Sequence, residues 1–72
     1  MIYRLTTGWY PSANTAYKVL GKVKAVEKNA TIKECGGYFT VEIKTFTSLD
    51  IAVLEKERFI KKGICCGVEC LK

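Results

Sequence analysis

Two adjacent glycines, Gly36 and Gly37, interrupt a stretch in which apolar and polar residues otherwise alternate, ATIKECGGYFTVEIKTFT. A two-residue loop with left-handed backbone at both positions suits glycine, and its twist matches that of paired strands. The spacing therefore predicts a hairpin with Cys35 opposite Tyr38, Glu34 opposite Phe39, Lys33 opposite Thr40 and Ile32 opposite Val41. In that register Ala30, Ile32, Phe39, Val41 and Ile43 share one face. Thr31, Lys33, Cys35, Tyr38, Thr40, Glu42, Lys44 and Phe46 share the other.

The segments around the hairpin complete an order of strand, helix, strand, strand, helix, strand. IYRLTT reads as a strand, with Tyr3 and Leu5 on one face and Ile2, Arg4 and Thr6 on the other; it ends at the turn residues of GWYPSAN. In TAYKVLGKVKAVEKN, Ala16, Val19, Leu20, Val23 and Val26 form one helical stripe, and Lys18, Lys22, Lys24 and Lys28 fall elsewhere. Ser12, Asn14 or Thr15 supplies the N-cap and Asn29 a left-handed end. Gly21 and the valines weigh toward a strand, so this piece decides the architecture. In SLDIAVLEKERFIKKG, Ser48 caps, Asp50 lies in the first turn, Lys61 and Lys62 lie in the last, and Gly63 follows. Its expected buried stripe is Leu49, Ala52, Val53, Phe59 and Ile60, with Lys56 inside it and Ile51 and Leu54 outside. ICCGVECL is a closing strand with either Ile64, Cys66, Val68 and Cys70 or Cys65, Glu69 and Leu71 inward, and alternation favours the first set.

This order predicts an α+β fold, a two-layer ferredoxin-like βαββαβ sandwich spanning residues 1–72 as a single domain. The hairpin strand from Tyr38 and the N-terminal strand should be central, with both helices on one face of the antiparallel sheet and the other face bare. The alternative is a mainly antiparallel β meander with one C-terminal helix. Identities at an offset of 35, Tyr3 with Tyr38, Glu34 with Glu69 and Cys35 with Cys70, hint at two βαβ halves.

With 72 residues, 49% hydrophobic, the chain can fold as one small domain but cannot divide its core. No apolar run approaches the length of a membrane span, and the start lacks the pattern of a secretory signal, so a cytoplasmic location and no membrane partner are expected. In a reducing compartment the four cysteines should be free thiols serving as small apolar residues. No metal or other cofactor is expected. Histidine is absent, and the topology would separate Cys35 from Cys65, Cys66 and Cys70.

Catalysis is not expected either: there is no histidine, one aspartate, and glutamates mostly flanked by lysine or arginine. The reading is a small basic non-enzymatic binding module, net charge +5. Cations interleaved with aromatics on the bare face, namely Arg4, Lys33, Tyr38, Lys44 and Phe46, point to single-stranded nucleic acid. GYFTVEI resembles the third-strand motif of the RNA-recognition module at Gly37, Tyr38 and Val41, with Thr40 and Ile43 where that motif has aromatics. The competing reading is a protein interaction or inhibitor module, such as a phage-type accessory protein, using Trp9, Tyr10, Ile51 and Leu54 against an acidic protein or as a homodimer.

Overall fold

A computed structural model describes residues 1–71. The elements are β1 (Ile2–Thr7), α1 (Ala13–Lys24), β2 (Thr31–Cys35), β3 (Tyr38–Phe46), α2 (Leu49–Lys61) and β4 (Cys66–Leu71). The strands form one antiparallel sheet in the order β2-β3-β1-β4, so β3 and β1 are central. This is the βαββαβ ferredoxin-like sandwich, and α1 excludes the meander.

The hairpin follows its turn chemistry. Gly36 and Gly37 have φ of 59° and 85°, and the four cross-strand pairs are those the spacing requires. Helix α1 starts after Ser12 and buries Ala16 and Val23, with Val19, Leu20 and Val26 packed against the same core. It ends earlier than Asn29: among the described residues none other than glycine has positive φ, and a tight turn returns the amides of Val26 and Glu27 to the carbonyl of Val23. Helix α2 is capped by Ser48, whose Oγ accepts from the Ile51 amide at 3.5 Å. At its other end Gly63, at φ 82°, donates to the Ile60 carbonyl and Ile64 donates to the Phe59 carbonyl, the reciprocal pattern of a glycine-terminated helix.

The core lies between the helices and one face of the sheet: Leu5, Val23, Ala30, Val41, Ile43, Phe59 and Ile64, with Phe46, Cys66 and Val68 packed against it. Helix α2 is rolled relative to the expected stripe. Ala52 and Phe59 are buried, whereas Leu49, Val53 and Ile60 are exposed and Glu55 and Lys56 are half-buried. A small residue at position 52 lets the backbone approach the sheet closely, and long side chains at 55 and 56 cover the flank with their methylene stems. The Lys56 carbonyl also accepts from the Cys66 thiol at 3.6 Å, which ties this side of α2 to β4.

The two halves repeat, but not at the offset of 35. Leu5 and Val41, Ser12 and Ser48, Ala16 and Ala52, Val23 and Phe59 occupy corresponding places, each pair 36 apart. In a strand a slip of one residue reverses the face. Accordingly Glu69 lies on the uncovered face with Arg4, whereas Glu34 pairs with Phe39 on the opposite one. The three identities at 35 are coincidental, although the duplication they suggested is present in the backbone.

Candidate functional site

The face of the sheet opposite the helices is uncovered, and one residue from each strand builds a ladder of charge across it. Arg4 on β1 donates through Nη1 to Glu42 Oε2 on β3 at 3.0 Å and to Glu69 Oε1 on β4 at 3.2 Å. Lys33 Nζ on β2 lies 3.7 Å from the same Glu42 oxygen. Two cations thus meet two carboxylates, and the ladder is charge-compensated. Arg4 and Glu69 are directly opposed in the register, the geometry in which cross-strand ion pairs form.

Beside the ladder stand two exposed aromatics, Trp9 (53% exposed) and Tyr38 (52%). Trp9, Lys33, Thr40, Arg4, Thr6, Glu42 and Glu69 line a small depression of about 120 Å³. An adjoining surface, almost wholly apolar, is lined by Trp9, Tyr38 and Cys35. A polar floor thus passes directly into an aromatic wall.

Trp9 owes its place to an irregularity in β1. After Thr7 the chain leaves the regular ladder, then returns at Tyr10, which exchanges two backbone hydrogen bonds with Phe39 at 2.7 and 2.8 Å. The gap is closed by side chains. Thr7 Oγ1 accepts from the Val41 amide at 3.0 Å, and Thr40 Oγ1 donates to the Thr7 carbonyl at 2.9 Å; both threonines are buried. Replacing Thr7 with valine keeps the shape but strands the Val41 amide, so a loss of about 1–3 kcal/mol is expected in urea unfolding. The Trp9 fluorescence of the folded variant should shift as the loop loosens; an unchanged emission maximum and midpoint would contradict the bracing role.

Of the five residues expected on the bare face, Arg4, Lys33 and Tyr38 are there and Lys44 and Phe46 are not. Leu5 pairs with Lys44 but Thr6 pairs with Glu42, leaving Ile43 as the extra residue of a bulge. That extra residue reverses the alternation beyond it. Phe46 packs against the core, and Lys44 turns its Nζ to within 3.9 Å of Glu27 Oε2 and 5.7 Å from the Phe46 ring centre. The four residues of the expected protein interface are divided as well. Trp9 is on the sheet face, Tyr10 is half-buried in its bridge to β3, and Ile51 and Leu54 project from α2. Trp9 belongs with the ladder, a link that the irregular return of the loop hid from strand periodicity.

Cys35 ends the edge strand β2, and Cys66 and Cys70 lie on the opposite edge strand, β4, with Cys65 just before it. All four are free thiols. Burial pushes the Cys66 thiol above its ordinary value, neighbouring Cys65 adds to the rise, and Lys56 opposes it. A raised thiol value means that the folded state favours the protonated form. The corresponding stability is present below the unfolded-state value and is lost as pH rises through the folded one. Maleimide labelling followed by peptide mass mapping should therefore find Cys66 slower than Cys35, Cys65 and Cys70; equal rates would contradict this placement.

No family model matches the chain, and no curated protein does. Among solved structures it is similar to the peptidoglycan-binding domain of the B. subtilis cell wall lytic enzyme CwlC. The TM-score is 0.81 at 20% identity, over 99% of this chain and 90% of that one. The likeness establishes the shared fold.

Proposed function

We propose that the domain is a non-catalytic module that binds the glycan strands of peptidoglycan on its uncovered sheet face. The observation that carries this reading is the pairing of exposed Trp9 and Tyr38 with a ladder whose charges are already matched. A sugar ring offers an apolar face of C–H groups that stacks on an aromatic ring, and a rim of hydroxyl and amide groups. Arg4, Glu42, Lys33 and Glu69 would meet that rim with donors and acceptors held in fixed directions by their own ion pairs. A polyphosphate would instead draw Arg4 away from two carboxylates, and the face has little net positive charge to offer in return. The shared fold of a domain whose ligand is peptidoglycan lends further support.

On this reading the single-stranded nucleic acid and acidic-protein ligands expected from charge are replaced by a hydroxyl-rich polymer. The cytoplasmic location gives way to the wall side of a bacterial membrane. Co-sedimentation with purified peptidoglycan sacculi tests the proposal. Retention that changes little with added salt is expected, with single-stranded oligonucleotide failing to compete. A protein that stays in the supernatant with sacculi, or one released by oligonucleotide or moderate salt, would refute it.

A further inference from the structure

The net charge of the chain is unevenly distributed, and the excess lies on the side away from the ladder. Helix α1 contains no acidic residue; its exposed surface carries Lys18, Lys22 and Lys24, with Lys28 in the turn that follows. No carboxylate of the described residues lies within ion-pair distance of these four lysines, and Glu27 is the one beside Lys44. Lys18 and Lys22 are four apart and repel one another, which slightly disfavours the helix that displays them. A merely solvated face would gain from glutamates at such positions.

The same outer surface exposes apolar groups. Tyr17 stands among the lysines of α1 (59% exposed). On α2, Leu54 (64% exposed) lies opposite the buried Ala52 and Phe59 and so points away from the sheet. Asp50, Glu57 and Lys61 share that surface, so the positive excess comes from α1. The domain is a slab of 32 × 27 × 17 Å, with the two helices forming one broad side.

We propose that this helical side docks reversibly on an anionic phospholipid bilayer. Lysines meeting headgroup phosphates and a leucine and tyrosine entering the interfacial region are the two terms by which peripheral proteins hold a charged membrane. The surface is broad, and neither helix needs to cross; no helix among the described residues is long and apolar enough to do so. Nucleic acid would use the lysines but would leave Leu54 without a partner, which is why the bilayer is favoured. The inference stands apart from the glycan reading, because it uses the opposite side of the slab.

The test is co-sedimentation of the whole domain with vesicles of equimolar phosphatidylglycerol and phosphatidylcholine, with pure phosphatidylcholine vesicles and a single-stranded oligonucleotide as comparison arms. Binding is expected on the anionic vesicles alone and should weaken with salt. A Lys18→Gln, Lys22→Gln variant should bind about thirtyfold more weakly, with roughly a fifth to a sixth of the affinity retained per lysine lost. Leu54→Ser should weaken it severalfold with the salt dependence unchanged. Lys24→Gln, Lys28→Gln provides a second pair should the first lose its helix by circular dichroism, and Trp9→Ala should bind vesicles as the parent does. Absence of vesicle binding at low salt, binding that survives both lysine pairs, or lysine-dependent binding to oligonucleotide but not vesicles would each overturn the proposal.

Discussion

A Phe59→Ala variant is expected to lose most of the domain's stability, retaining about 2 kcal/mol or less at room temperature. Phe59 is 2% exposed and is the largest of the fully buried side chains, supplied by α2 to a core whose other members are aliphatic. Truncating a buried phenylalanine costs about 3–5 kcal/mol, because the transfer term is lost and the cavity collapses only in part. A chain of this size has on the order of 5 kcal/mol to lose. Val23, the corresponding residue of α1, is equally buried but smaller, so Val23→Ala should be milder and still fold cooperatively. Urea titration followed by far-ultraviolet circular dichroism checks both. A Phe59→Ala protein with a sigmoidal transition displaced by less than about 1 kcal/mol would show that the core does not depend on this ring.

Removing the aromatic wall should abolish binding without loss of fold. Trp9→Ala is expected to lower affinity for sacculi by more than about tenfold, since large exposed aromatics are the side chains that most often dominate a binding surface. Tyr38→Ala should have a smaller effect in the same direction. Neither belongs to the buried core, so the thermal midpoint should move little. A contrasting variant, Arg4→Met, would break the ladder while keeping much of the side-chain volume. It should weaken binding and also destabilise the sheet modestly, because Glu42 and Glu69 lose their shared partner. Undiminished retention of Trp9→Ala on sacculi would remove the main support for the glycan reading, whatever the outcome with Arg4.

These two results probe different depths of the same architecture, and they differ in how visible their residues are in sequence. The hairpin register followed from Gly36 and Gly37 together with a period of two, because both constraints act within a few residues. The ends of α2 followed from Ser48 and Gly63 for the same reason. Helix α1 was legible as a stripe despite Gly21, because burial of Ala16 and Val23 outweighs one unfavourable backbone position.

The faces beyond the bulge were not legible. Nothing local to Ile43 announces an extra residue; it arises from how β3 is matched to β1, more than thirty residues away in the chain. One unmatched residue was enough to move Lys44 and Phe46 off the surface proposed for them. The roll of α2 was hidden similarly, since several faces of that helix are apolar and only contact with the sheet selects the one carrying Ala52 and Phe59.

Turns, caps and hydrophobic periods act over a handful of bonds, so the amino-acid sequence by itself determined the elements, their order and the existence of an uncovered sheet. Tertiary structure alone decided which side chains meet there. Neutralisation of Arg4 by Glu42 and Glu69, and the arrival of Trp9 beside them, are agreements among strands distant along the chain, set by sheet pairing and packing that no local pattern encodes.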